Sequence, residues 1–390
     1  MKTLRLKNRE DRRLRAGHLW IYSNEIDTHH TSLKSFAAGE LVKIESAQGQ
    51  PLGVGYINPH TLLAARLLSP QIEAHLDTDW FIRRLQNALA LRQALYGQPF
   101  YRLVYGEGDA LPGLVIDRYD NVLVVQITTA GMENLRAPLA EALQQVIRPQ
   151  GILWRNDTPM RTLEGLSLEN EVWGQVPDVI VVPESEATFQ VPLLLGQKTG
   201  WFYDQRDNRS RFLRYVKPND RVLDVCSYIG GWSVRAALAG AKVSAIDTSE
   251  PALQALGDNA EANGVDVELL HGDALEVLKH LKSEGAKFEA IVVDPPALIK
   301  RQKDFEVGLE HYAALNRAAM QLLVSGGFLV SCSCSQALGV EDLQRVLLRN
   351  SRQLKRPLQL LEQSFHAPDH PVHPAIPESQ YLKALFMRVL

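Results

Sequence analysis

Cysteine is scarce in this sequence: Cys226, Cys332 and Cys334 are the only three in 390 residues. An odd number confined to the second half argues against a disulfide framework and makes a reducing cytoplasm the expected location. Long hydrophobic runs are missing too. No stretch approaches the roughly 18–20 apolar residues that a membrane-spanning helix needs. The opening MKTLRLKNREDRRLRAG is basic but has no apolar centre and no small-residue cleavage site, so it does not read as a secretory leader. Glu10 and Asp11 within it speak against a mitochondrial presequence. Net charge is almost absent: 42 Lys+Arg against 45 Asp+Glu leave -3. That total weighs against coating nucleic acid through bulk charge, although totals hide local patches.

What is present divides the chain into three. At roughly 100–200 residues per domain the length predicts two or three domains. Residues 1–75 read as a small all-β barrel, because LWIYSNEI, GELVKIESAQGQPLGVGYI and LLAARLLS are short alternating runs separated by Gly, Asn and Pro. Residues 76–195 read as α+β. Phe81, Leu85, Leu89 and Leu91 predict a helix over TDWFIRRLQNALALRQALYG, and three strands with a second helix near 132–147 follow. In the third segment, 196–390, RVLDVCS, KVSAIDTS, VELLHGD, FEAIVVDPP and GFLVSCSC are strand-like, each followed by a helix-like stretch. This alternation implies a parallel, doubly wound sheet whose ligands sit at the carboxyl ends of its strands. LQLLEQSF and YLKALFMRVL lack a helix between them and are expected to close the sheet as an antiparallel hairpin.

The strand ends carry the chemistry. The first strand runs into Asp224-Val-Cys-Ser-Tyr-Ile-Gly230-Gly231-Trp232, with Cys226 and Tyr228 where the first glycines of G-x-G-x-x-G would fall. A pyrophosphate cradle is weakened there. The second strand ends at Asp247, placed for a ribose diol, and the third in His271-Gly272-Asp273, placed for an adenine amino group. Each acid alone reads first as a helix cap. Jointly they favour a nucleoside cofactor without phosphates, S-adenosylmethionine foremost. The fourth strand ends in Asp294-Pro295-Pro296, where the prolines remove two amide donors and leave rigid carbonyls beside one carboxylate.

The fifth ends in Ser331-Cys332-Ser333-Cys334-Ser335. Cys332 and Cys334 would share one face of an extended strand, with Cys334 nearer the carboxyl end. Cys226 and Cys332 read as small buried hydrophobes, Cys334 as a thiolate nucleophile. A metal is not expected, because C-x-C without a second Cys/His pair offers too few ligands and His370 and His373 sit in a proline-flanked loop. Two segments are locally basic. Over 198–217, Lys198, Arg206, Arg209, Arg211, Arg214 and Lys217 against Asp204 and Asp207 give +4, interleaved with Trp201, Phe202 and Tyr203. Over 2–15, seven basic residues, among them Arg12 and Arg13, against Glu10 and Asp11 give +5. Lys300, Arg301 and Lys303 follow the Asp-Pro-Pro loop. Aromatics among basic residues suit stacking on bases and pairing with phosphates, so RNA is the expected partner.

Together, Q-K-T-G-x-x-x-D-Q-R at 197–206, D-x-x-S-Y-x-G-G-W at 224–232, D-P-P at 294–296 and S-C-S at 333–335 resemble the bacterial large-subunit rRNA (cytosine-5)-methyltransferases of the ribosomal methyltransferase I type. E-G-D-A-L-P-G-L-V-I-D-R-Y at 107–119 and D-H-P-V with Y-L-K at 369–383 extend the similarity over nearly the whole chain. The resemblance implies an N-terminal PUA-like β-barrel, a middle α+β domain and a C-terminal α/β class I methyltransferase with a Rossmann-like seven-stranded sheet and antiparallel terminal hairpin. It implies Cys334 as catalytic thiol, with Asp294 beside it. The S-adenosylmethionine pocket would hold Asp224, Ser227, Tyr228, Gly230, Asp247, Asp273 and Asp294, joined by Asp204 and Arg206. Related RNA cytosine-5 methyltransferases carry a second cysteine where Ala297 stands here. Gln336 stands where relatives often have Gly, which bears on the adjoining loop. Candidate RNA contacts are Lys198, Arg209, Lys300, Arg301, Arg12 and Arg13. The implied partner is 23S rRNA or a pre-50S assembly intermediate, with a homodimer allowed and no membrane. Methylation of another base such as guanine without a covalent adduct, or a non-catalytic RNA-binding assembly role, stay open as alternatives. An oxidoreductase is disfavoured by the missing glycines.

Overall fold

The alternating runs of the first segment pair as strands in a computed structural model that describes residues 1–194, 196 and 199–390. β1 (Lys2–Arg5), β2 (Trp20–Ile21), β3 (Glu40–Glu45), β4 (Pro51–Ile57) and β5 (Ala65–Ser69) form one sheet in the order β1-β3-β4-β5-β2, and α1 (Arg12–Arg15) lies between the first two strands in sequence. Val42 and Ile44, two apart on β3, are buried with Leu4, Leu6, Ile21 and Ile57, the period-2 signature of a half-buried strand. Next come α2 (Thr78–Leu95), β6 (Phe100–Tyr105), β7 (Leu114–Tyr119), β8 (Val122–Ile127), α3 (Ala130–Asn134), α4 (Arg136–Val146), β9 (Gly151–Trp154), α5 (Pro159–Glu164) and β10 (Glu171–Gly174). Their sheet runs β10-β9-β8-β7-β6. The β8–β9 pair is parallel, which requires the crossover through α3 and α4. Tyr56 of β4 joins this second core. Its hydroxyl donates to Pro112 O and is 3.0 Å from Thr129 Oγ1. A Cβ on Gly131 would stand 1.9 Å from its ring, so only glycine fits there.

Helix α2 starts where expected, with Asp77 capping the Trp80 amide at 3.0 Å. Its buried stripe differs from the expected one. Phe81, Leu85, Ala88 and Arg92 face inward, while Leu91 is exposed. The fully buried Arg92 binds Asp109 through two bonds of 2.5 and 2.7 Å and also donates to the carbonyls of Arg102 and Asp369.

The remaining elements are β11 (Val179–Glu184), β12 (Ala187–Pro192), α6 (Arg206–Phe212), β13 (Arg221–Val225), α7 (Ser233–Leu238), β14 (Lys242–Asp247), α8 (Glu250–Ala262) and β15 (Val267–His271). After them come α9 (Ala274–Ser283), β16 (Phe288–Val293), α10 (Phe305–Leu322), β17 (Leu323–Ser333), α11 (Val340–Leu354), β18 (Leu358–Ser364) and β19 (Lys383–Val389). Seven strands pair in the order β15-β14-β13-β16-β17-β19-β18. The first five are parallel, and β17–β19 and β18–β19 are antiparallel, so the expected terminal hairpin is present. Successive residues feed opposite faces. Leu223, Val225, Ile291 and Val293 pack with Tyr312 and Leu343, whereas Val222, Val292, Val330 and Cys332 pack with Phe212, Trp232 and Ala236. No described helix is long and apolar enough to cross a membrane.

Chain contacts separate two compact units, and each borrows from the other's stretch of sequence. The first comprises Met1–Asp178, Leu193–Trp201 and Pro368–Ser379; the second Val179–Pro192, Phe202–Ala367 and Gln380–Leu390. The β11–β12 hairpin joins the second unit through α8, where Asn259 accepts from Gln190 N and Asn263 brackets Thr188 with two hydrogen bonds. Segment 368–379 joins the first unit where Asp369 accepts from the Arg102 amide. Arg92→Met should cost about 3–5 kcal/mol, because it leaves the largely buried Asp109 carboxylate without its counter-ion. Urea unfolding of Arg92→Met, Asp109→Asn and the double variant checks this, with the double variant losing less than the sum of the two.

Candidate active site

The strand order reverses between β13 and β16, where the Asp294 amide donates to Val225 O at 3.1 Å. A ligand crevice is expected above such a reversal. The loop after β13 turns on itself, with the amides of Cys226 and Ser227 both donating to Ile246 O. Cys226 and Tyr228 adopt φ of +69° and +51°. These are the two positions where glycines were missed: the backbone takes the left-handed turn regardless, at a cost of about 1–2 kcal/mol per residue. Asp247 secures the turn, accepting from Tyr228 N and Ser249 N at 2.9 Å each. Gly230 has φ +92°, and a Cβ there would sit 2.7 Å from Leu256 Cγ. The Asn259 amide donates to Ile229 O and so ties α8 to the loop.

Acids line this turn. Asp224 is fully buried, and its Oδ2 accepts from Ser233 Oγ at 2.6 Å. Burial, opposed by the Ser233 hydrogen bond and reinforced by Asp294 and Asp247, pushes its carboxyl up to about 7. Asp224 Oδ1 and Ser227 Oγ are buried and find no hydrogen-bond partner among the described residues. Asp294 Oδ2 accepts from Gln205 Nε2 at 2.9 Å and Trp232 Nε1 at 3.1 Å. Asp273 is exposed and caps α9, with Oδ1 taking the amides of Leu275 and Glu276. Its expected adenine contact would have to use the carboxylate alongside that cap. Unsatisfied buried oxygens within an acidic crevice fit a cationic nucleoside ligand and oppose a phosphate.

The three thiols separate clearly. Cys332 is fully buried in the core, and burial holds its thiol well above the usual range. Burial, then Asp247 and Asp294, do the same to Cys226. Strand β17 ends at Ser333, so Cys334 lies just past it rather than on the same extended face as Cys332. Its Sγ lies 3.9 Å from Pro295 O, which brings together the two strand-end motifs. The hydroxyls of Tyr312, Ser333 and Ser335 form a chain with links of 2.9 Å, and Ser335 Oγ accepts from Ile299 N. Lys383 Nζ donates to Ser335 O at 2.7 Å. The sequence reading missed Gln205, Trp232, Asn259, Tyr312 and Lys383. Gln205, Trp232 and Lys383 belong to quoted motifs and were open to notice, whereas Asn259 and Tyr312 lie within helices and carry no such signal.

Other expected residues fall differently. Lys198 lies outside the described residues. Asp204 is buried and accepts from Tyr381 OH, and Arg206 lies 4.9 Å from the centre of the Tyr203 ring. Arg209, expected at an RNA surface, is instead turned inward. It is buried and pairs twice at 2.6 Å with Glu184, which Arg235 also approaches at 3.4 Å. Burial would raise Glu184, but the arginines outweigh it and hold the carboxyl below its usual range. Trp201 and Tyr203 are buried, and Arg211 and Arg214 pair with Glu362, so the described stretch over 199–217 is not an aromatic-basic surface. In the first 15 residues Arg12 is exposed, while Arg13 pairs with Glu25. Lys300 is exposed and Arg301 pairs with Asp304.

Comparison with known proteins agrees with this arrangement. A PUA-like domain family matches residues 4–70, and an S-adenosylmethionine-dependent methyltransferase family matches residues 126–388. Ribosomal RNA large subunit methyltransferase I of Erwinia tasmaniensis is 36% identical over 393 residues, covering 98% of both chains. The protein of that name from Shewanella denitrificans is 35% identical, covering 99% of both. Among solved structures, a protein assigned as a methyltransferase and complexed with SAH superposes with TM-score 0.86 over the full length of both chains at 22% identity. A Streptococcus mutans protein assigned as SAM-dependent gives 0.84 at 21%. At that identity these two structures show the fold, and the cofactor follows from the family match. With S-adenosylmethionine as its cofactor, the chain belongs to the ribosomal RNA large subunit methyltransferase I family.

Proposed function

We propose that this protein methylates C5 of a cytosine in 23S rRNA and that Cys334 forms a transient covalent bond to C6. The observation that carries the reading is Cys334 Sγ beside Pro295 O, while burial keeps Cys226 and Cys332 protonated. The relatives' names supply the large-subunit rRNA, and the PUA-like match suits an RNA-directed enzyme. Exposed Arg12 and Lys300 are the RNA contacts we retain.

Asp224, Ser227 and Asp247 would hold the cofactor, whose chemistry is to supply an electrophilic methyl group. Cytosine C5 is too poor a nucleophile to accept it unaided. The Cys334 thiolate adds to C6, forming an S–C6 bond and moving the C5–C6 π electrons towards C5. Asp294, oriented by Gln205 and Trp232, bonds the cytosine edge and supports protonation at N3. After methylation a base removes the C5 proton, the C5–C6 double bond reforms and the S–C6 bond breaks, which frees the thiolate. The target base must leave its stack to enter, costing a few kcal/mol.

Cys334→Ala should abolish methyl transfer while leaving S-adenosylmethionine affinity intact, as read by isothermal titration and by mass mapping of methylated rRNA. Methyl transfer that persists in this variant would rule out the covalent route and favour another base. Wild-type protein should form a stable adduct with 5-fluorocytosine-containing RNA, and Cys334→Ala should not. Asp224 gives a prediction for stability. Its folded carboxyl is pushed up to about 7, above the ordinary value of 3.8, so the folded state holds the extra proton and loses stability as pH rises through that window. The melting-temperature advantage of unliganded Asp224→Asn over wild type should therefore grow from pH 4 to 7 and level off above. A constant offset across that range would contradict it.

A further inference from the structure

Strand β19 opens with Lys383, and antiparallel pairing sets it directly opposite Ser333 at the end of β17. The last pair of the ladder thus delivers a lysine to the strand end that carries Cys334. Lys383 is only 4% exposed, unusual for a residue that normally reaches water. It forms no ion pair with a carboxylate among the described residues. Its ammonium instead rests on Ser335 O at 2.7 Å, one residue beyond the thiol.

We propose that Lys383 is a positioning residue for the Cys334 nucleophile: held on Ser335 O, its ammonium supplies the positive charge that favours the thiolate and fixes the backbone that presents it. The inference rests on Cys334 as the nucleophile. Burial draws the Lys383 amine down to about 8, and the Cys334 thiolate acts against that shift. Such coupling is reciprocal, so the ammonium favours the thiolate to the same degree. Among the described residues, titratable groups near this strand end include Asp294 beyond β16, Cys332 on β17, Tyr312 on α10 and Asp224 on β13. All of these are neutral or acidic. The acids oppose a thiolate, and Lys383 is a cation that offsets them. A lysine serving merely as a peg for the Ser335 carbonyl would be replaceable by a neutral donor, which separates the two roles.

The test is the pH profile of iodoacetamide alkylation at Cys334 in the full-length protein, read on its own peptide by mass spectrometry. Thermal melting confirms that each variant is folded. Lys383→Gln, which can still donate to Ser335 O, and Lys383→Met should raise the alkylation midpoint by about one pH unit or more. Lys383→Arg should restore it towards wild type. A second reading needs no change at Lys383: by NMR of its ε-carbon, Cys334→Ser should lower the lysine's titration midpoint. Folded Lys383→Gln with a wild-type alkylation profile, or an unmoved lysine in Cys334→Ser, overturns the inference. Neither outcome touches the result for Cys334→Ala. Conversely, methyl transfer surviving in Cys334→Ala removes the nucleophile but leaves the alkylation comparison interpretable.

Discussion

One backbone hydrogen bond, from the Asp294 amide to Val225 O, marks the place on which the second unit depends. It joins the carboxyl ends of β13 and β16, neighbours from which the sheet grows in opposite directions, through β14 and β15 one way and through β17 and β19 the other. The chain leaving β13 must turn towards β14, and the chain leaving β16 towards β17. The two departing loops diverge, and a ligand crevice is expected between them. Left-handed φ at Cys226 and Tyr228 is the local cost of turning sharply enough, and Asp247 and Asn259 hold the turn against it.

Charge follows from that geometry. Asp224, Asp247 and Asp294 converge on a partly buried space, so each raises the others or the nearby thiols. The acids make the crevice hospitable to a cation and hostile to a phosphate. They also silence Cys226 and Cys332, which burial had already disfavoured as thiolates. Cys334, the thiol of the proposed mechanism, sits farther along the sheet, past the end of β17, where β19 brings in a lysine. The antiparallel turn of the last strands therefore brings Lys383 to that strand end as well as closing the sheet.

Elsewhere, charge is spent inside the protein. Arg92 with Asp109 and Arg209 with Glu184 are buried, bidentate pairs that fasten distant stretches of chain. Each arginine sits at a position that composition alone would place in water. Hydrophobic periodicity located α2 correctly but chose Leu91 for its inner face, because a guanidinium whose donors are all met can be buried where an apolar side chain was expected. A local balance of +4 suggested an RNA-binding surface for the same reason: the compensating acids, Glu184 and Glu362, are remote in sequence.

The sequence by itself determined the order of strands and helices, the parallel sheet with its antiparallel end and the acids at the strand ends. These are local properties, set by periodicity and by residues within a few positions of each other. It also singled out Cys334 among three thiols through its place beside two serines at a strand end. Only the tertiary structure decided that Cys334 meets Pro295, that Gln205 and Trp232 orient Asp294 and that Asn259 braces the loop after β13. It likewise decided that Lys383 meets Ser335 O just past the end of β17, because strand register pairs residues fifty positions apart and no local pattern encodes register between distant strands.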